Sequence, residues 1–246
     1  MAAAAVGITV AAGFHNTWVT ILFCVYVGLL LLHTVLTLRQ RRARDRVQSE
    51  VMWGLFDRIN REIFAGDHRT RFTLFRRAPL VWPAEIVPWY RYHQGEGDAI
   101  ALAWRSRAHF KRNEGITGRA WEEGRTLLCA PLPRFKSRQQ FEHHYANTLG
   151  IRQPVVAQLS EFMEQVQTIF SYGFQDQRGR FLGVLSLDFK GVLVLEDGGL
   201  YVESPGANPD SRKSLRVNAR EMDLMLKDVE SVLTSFALAE GEGVAR

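Results

Sequence analysis

The densest concentration of chemistry-bearing side chains is a run of arginines. Arg39, Arg41, Arg42, Arg44 and Arg46 fall together, with Asp45 the one acid among them. Five positive charges less one negative give this run +4 of the chain's formal +5, so the remainder is close to neutral. A general nucleic-acid binder needs a long basic surface to neutralise phosphates, and none is left outside the run. Clustered guanidiniums at this density instead suit anionic lipid headgroups, at about 1 kcal/mol each.

The other reactive residue types are sparse. Cys24 and Cys129 are the only two cysteines, and they fall in segments of opposite character, so no intrachain disulfide is expected and a reducing compartment fits. Cys129 sits in an apolar run and reads as an inert thiol. His143 and His144 are adjacent; on a helix they diverge and cannot chelate one metal, so no metal is expected and both read as solvated. Thr117-Gly118 offers backbone N–H groups at a helix start, the chemistry of an anion site, although ordinary turn chemistry explains the pair equally well. There is no nucleophile elbow, Walker loop or zinc-spaced Cys/His set.

The arginines need an element to hold them at a membrane, and the sequence supplies one directly before them. From Thr17 to Leu38 there is no Asp, Glu, Lys or Arg. As a helix at 1.5 Å per residue this stretch spans about 33 Å, the hydrocarbon thickness of a bilayer. Lipid offers the backbone no partners, which selects a helix. Trp18 suits the headgroup region at one end, and the arginines hold the other end in the cytoplasm. Trp18, Arg39, Arg41, Arg42, Arg44 and Arg46 are therefore the expected membrane-interface residues of a single-pass inner-membrane protein. Residues 1–16 form a short extracytoplasmic N-terminus without the basic start of a cleaved signal. His33 lies in the span but near its cytoplasmic end, where a neutral imidazole is tolerated.

Residues 39–65 read as a basic juxtamembrane segment and linker helix. Val51, Met52, Leu55, Phe56, Ile59, Ile63 and Phe64 recur at helical spacing, Gly54 weakens the helix by about 1 kcal/mol, and Gly66 stops it. The linker could run on from the span with little break. Arg71–Arg77 and Glu85–His93 read as strands, with Pro88 near an edge or bulge. Residues 95–98 form a loop, and 99–110 stay open between strand and helix.

Asn113-Glu-Gly-Ile-Thr-Gly-Arg-Ala-Trp-Glu-Glu-Gly-Arg-Thr-Leu-Leu-Cys129 gives two glycines around Ile116-Thr117, a short turn from Arg119 to Glu123, then Gly124 and a strand. Val166-Gln-Thr-Ile-Phe-Ser-Tyr, a turn at Asp176–Gly179, and Phe181-Leu-Gly-Val-Leu-Ser-Leu-Asp188 give a late strand pair. In this order the two segments resemble the GAF family of small-molecule-sensing domains, over roughly residues 47–238. The resemblance implies an α+β fold in which a GAF-like domain, an antiparallel sheet with helices packed on its faces, follows one N-terminal transmembrane helix. It also implies that the stretch between the central strand and the late pair closes over the sheet and makes a pocket. Ser137 with Gln140 opens a helix there that runs to Leu149 and stops at Gly150, and Pro154–Glu164 reads as another short helix. Phe141 and Tyr145 share one helical face. The ligand candidates are thus Thr117, Gly118, Trp121, Phe141 and Tyr145, with plain core packing the competing explanation for the three aromatics and turn chemistry for the other two.

The domain is expected over 66–238, with an extra hairpin near 191–203 turning at Asp197–Gly199, a loop over 204–213, a last helix from Asn218, and a flexible tail at 239–246. The family's N- and C-terminal helices pack side by side and often build a dimer, so a homodimer is expected. Some relatives reduce methionine sulfoxide, but that chemistry needs several cysteines where this domain has only Cys129. The cofactor stays unknown. Two functions follow: a non-catalytic membrane-anchored sensor that binds a small molecule or a protein partner, or a small-molecule-gated effector whose spans cluster and perturb the bilayer. Ligand-triggered loss of membrane potential, seen with the full chain only, separates them.

Overall fold

A computed structural model describes residues 17–64, 69–78, 84–93, 108–196, 199–203 and 216–242. The expected features at residues 1–16, Gly66, 95–98, most of 99–110, Asp197-Gly198, 204–213 and the last residues of the tail lie outside the described residues, as do the side chains of Trp18, Arg41 and Arg42. The chain divides into two units, residues 1–48 and 49–246.

Helix α1, Thr17–Phe64, begins in the first unit and ends in the second. Its N-terminal part is long and apolar enough to cross a membrane. Large apolar side chains there stand uncovered, Leu22 at 67% exposure and Leu31 at 62% among them. Two of its hydroxyls are satisfied inside the helix: Thr34 Oγ1 donates to Leu30 O and Thr37 Oγ1 to His33 O, each at 2.8 Å. Such a surface asks nothing of water.

The second unit is built on a six-stranded antiparallel sheet in the order β3-β2-β1-β6-β5-β4. The strands are β1 Thr70–Arg77, β2 Glu85–His93, β3 Phe110–Lys111, β4 Thr126–Cys129, β5 Thr168–Gln175 and β6 Phe181–Phe189. Leu74 faces Tyr90 while Phe75 faces Pro88, so Trp89 is the extra residue of a bulge beside the proline. Strand β3 pairs with β2 only at Glu85 and Ile86, short of Pro88.

Period-two alternation sends β1, β5 and β6 to two different layers. On one face Phe72, Leu74, Phe170, Phe174, Leu185 and Leu187 meet Met52, Phe56 and Ile59 of α1 and Met225, Val229 and Leu233 of the last helix, α6 Ala219–Glu242. Arg58 of α1 pairs with Asp228 of α6 across that layer. The other face is covered by α2 Gly115–Glu123, α3 Arg138–Asn147, α4 Gln153–Val156 and α5 Glu161–Glu164.

Three local expectations are corrected. Arg119–Glu123 is not a turn but the second half of α2, which starts at Gly115 and ends at Gly124 with φ +59°. Helix α2 tolerates its glycines because Gly118 lets Lys111 O approach: an added Cβ would stand 2.2 Å from that oxygen. Pro154–Glu164 is two one-turn helices, since Ala157 to Ser160 leave the helical path. Helix α3 ends at Asn147 instead of Leu149, although Ser137 caps it as expected, accepting from Gln140 N at 3.3 Å, and Gly150 takes φ +69°. The extra hairpin is present as β7 Val192–Glu196 and β8 Gly199–Glu203, joined by an unforeseen β9, Arg216–Asn218, into a second sheet.

Candidate functional site

Between the second face of the sheet and its covering helices lies a cavity of ≈ 200 Å³. Its walls are apolar: Phe75, Phe110, Ile116, Leu149, Ile151 and Met163. Its floor is not. Ser186 and Asp188 of β6 line it, and Thr73 and Arg71 stand opposite them on the same face of β1, while the residues between feed the all-apolar layer. Cross-strand register lines up Arg91, Thr73, Ser186 and Ser171 in one row and Arg71 with Asp188 in the next.

These groups are wired together. Arg71 Nη2 and Nε donate to Asp188 Oδ2 at 2.7 and 3.1 Å, with both side chains 7% exposed. Ser186 Oγ donates to Asp188 Oδ1 at 3.2 Å, and Ser171 Oγ to Ser186 Oγ at 3.3 Å. Thr117 Oγ1 of α2 lies 3.5 Å from Ser171 Oγ. Arg91 Nε donates to Thr73 Oγ1 at 3.3 Å.

Arg71 also reaches upward. Its Nη1 donates to Ser160 Oγ at 2.9 Å, its Nη2 contacts Met163 Sδ, and its guanidinium lies 4.3 Å over the Phe162 ring. One buried cation therefore ties the floor to the α4–α5 segment. The far side of that segment is held by Arg138, which donates to Glu164 Oε1 at 2.7 Å and to the carbonyls of Val156 and Leu159 at 3.1 and 3.2 Å. Its charge is stabilised chiefly by the Glu164 hydrogen bond, which raises its pKa.

The five ligand candidates part company here. Thr117 and Tyr145 line the cavity. Tyr145 is fully buried, and its hydroxyl has no hydrogen-bond partner among the described residues. Burial first, then the Asp188 charge, push the phenol well above the usual tyrosine range, with Arg71 offsetting part of the rise. Phe141 instead packs in the core, 4.2 Å from the Tyr145 ring and 5.5 Å from that of Phe135. Trp121 packs against Phe181 at 5.3 Å, with Arg112 over its face. Gly118 sits inside α2, its N–H given to Glu114 O at 2.9 Å.

Thr117 and Gly118 lie inside α2, whose N-cap residue is Glu114. Its carboxylate already stands at this helix start, 5% exposed, accepting from Lys111 N at 2.7 Å and from Arg152 N and Nε at 2.8 and 2.9 Å. Cys129 is half-buried, and burial raises its thiol pKa. His144 is half-buried beside Phe135, and burial, with His143 adding to it, lowers its pKa. No group of three or more His, Cys, Asp or Glu gathers among the described residues.

Ser160, Ser186 and Asp188 of the lining, and Arg71 and Ser171 bonded to them, are residues that sequence reasoning missed. A signal was present: Ser and Asp alternate with Val and Leu in Val184-Leu-Ser-Leu-Asp188, and a strand with polar groups at alternate positions but no wet face must be hiding them from water for a reason. No protein-family model and no curated protein matches the sequence.

Proposed function

We propose that this chain is a membrane-anchored regulatory protein. A single N-terminal span of the inner membrane, N-terminus outside, carries a cytoplasmic GAF-like domain. The domain binds a small molecule, or a protein partner, and passes its occupancy to the membrane or to the pairing of two copies, without catalysing a reaction. The observation that carries this reading is the cavity lined by Tyr145, whose buried hydroxyl makes no hydrogen bond among the described residues. A buried polar group left so costs roughly 1–3 kcal/mol, which a bound molecule recovers.

Three further features support the reading. The stretch between β4 and β5 covers the cavity, as the GAF resemblance implies for a pocket. Helices α1 and α6 share one layer, as it implies for the terminal helices. The arginines at 39–46 follow an apolar stretch of spanning length. A ligand shifts an equilibrium only by binding two states differently. Arg71 offers that difference, because a molecule competing for Asp188 or Ser160 loosens the link between floor and cover.

Native mass spectrometry of the full chain released from detergent micelles tests the proposal. The expected result is a small-molecule mass retained on the wild type and lost from Tyr145→Phe. A chain that always flies bare, and whose melting temperature no metabolite extract raises, overturns it.

A further inference from the structure

Resting on that reading, the cavity also specifies the kind of molecule it takes. Tyr145 and Asp188 line the same cavity, yet no hydrogen bond joins Tyr145 Oη to any described residue. A gap therefore separates a donor from an acceptor. A carboxylate offers about four lone-pair sites. Arg71 Nε and Nη2 take two on Oδ2 and Ser186 takes one on Oδ1, which leaves one for a further donor. Tyr145 carries a phenolic proton and needs an acceptor. Arg71 already neutralises Asp188, so a cationic guest gains no counter-ion there and loses its hydration, while Arg91, the cation on the lining, already donates to Thr73. The volume of ≈ 200 Å³ lies below the roughly 300–1,000 Å³ of pockets for drug-sized ligands. The aliphatic and aromatic walls complete the description.

We propose that the ligand is a compact, neutral ring compound with N–H and C=O side by side on one edge: a lactam, imide or ureide. Its N–H donates to Asp188 Oδ1, its C=O accepts from Tyr145 Oη, and its ring carbons fill the space between Phe75, Phe110, Ile151 and Met163. Gln158 and Ser160, the exposed lining residues, mark where such a molecule meets solvent.

Titration calorimetry and ligand-observed NMR on the full chain in micelles, stripped of any retained molecule, test this with three probes. Valerolactam has the full edge, N-methylvalerolactam lacks the donor, and benzoate is an anionic acceptor of similar bulk. The expected result is saturable binding of valerolactam, with Kd about tenfold higher for the N-methyl compound and for valerolactam on Tyr145→Phe. Because the N-methyl comparison uses unaltered protein, it stands even if the variant folds poorly. Benzoate binding tighter than valerolactam overturns the proposal by placing control with the cations of the floor. Equal binding of the two lactams overturns it by removing Asp188 from recognition. Binding of none overturns it too, a water then serving Tyr145. In each case a retained mass on the native chain keeps the broader proposal alive, and its absence ends that one separately.

Discussion

The Arg71–Asp188 pair holds both the floor and the cover of the cavity, and its burial sets the sign of what substitutions do. Removing one partner strands the other charge away from water, at about 3–5 kcal/mol, whereas an apolar replacement of both is tolerated far better. Arg71→Met is therefore expected to lower the melting temperature sharply, and the double variant Arg71→Met/Asp188→Leu to recover most of the loss. Thermal unfolding followed by tryptophan fluorescence reads both. A double variant no more stable than the single one would mean that Ser160, Met163 and Phe162 matter more to Arg71 than its carboxylate does. A second prediction concerns pH. Tyr92 donates to Asp57 Oδ1 at 2.8 Å, and burial, then that hydrogen bond, raise its pKa from 10.0 to about 12. The unfolded chain gives up this proton first, so above pH 10 it binds fewer protons than the native state and stability falls as pH rises, the loss completing near pH 12. Tyr92→Phe is expected to flatten the melting temperature over that window and to remove one late step from the tyrosinate absorbance titration.

At the level of elements, close backbone approach is what fixes α2 on the sheet. A Cβ added at Gly173 of β5 would stand 2.3 Å from Ala120 O of α2, so Gly173→Ala has to push the helix outward. The expected cost is about 1–3 kcal/mol, with a shift in emission from Trp121, which rides on α2; unchanged stability and emission would deny that α2 is seated there. The α4–α5 segment depends on Arg138 in the same way. Arg138→Ala removes the hydrogen bonds to Val156 O, Leu159 O and Glu164, and proteolysis is expected to move to residues 157–160. These examples also explain what was legible in the sequence. Strands β1, β2, β5 and β6 announce themselves because aromatic and β-branched runs end at turn residues. The recurrence of Met222, Met225, Leu226, Val229 and Leu233 on α6 and the Ser137 cap are local and equally plain. Helix α2 was misread because Gly115, Gly118 and Gly124 look like turn punctuation, while two of them serve tertiary contacts or a helix stop that single-chain spacing does not display. Strand β9 is three residues long and takes its pairing from β8, far from its own neighbours. Thr117 and Tyr145 were reachable from helix position, but Arg71 and Asp188 lie 117 residues apart and meet only through the β1–β6 register.

For the molecule as a whole, the uncovered apolar part of α1 is the feature on which membrane anchoring can be tested. Leu29, Leu30, Leu31 and Leu32 are all exposed, along with Leu22, Phe23, Val25 and Tyr26. A soluble chain carrying that surface would aggregate or bury it in a partner, whereas a bilayer accepts it at no cost. In the proposed arrangement the arginines that follow add an electrostatic hold, which salt separates from insertion. If only headgroup attraction held the chain, high ionic strength would release it, because screening shortens to about 3 Å at 1 M. An inserted helix resists, since its energy is apolar. The chain is therefore expected to stay with the membrane pellet through a high-salt wash and to leave it in detergent. Leu29→Lys/Leu30→Lys brings two charges to mid-span at roughly 3 kcal/mol each and is expected to move the protein out of the pellet. Replacing Arg41, Arg42 and Arg44 by Gln leaves the apolar term untouched, so the pellet should still hold the chain while a tag at either end begins to appear on both sides of the membrane. Release of the unaltered chain by salt alone would reduce α1 to a surface helix and remove the anchor from the proposed function, whatever the cavity binds.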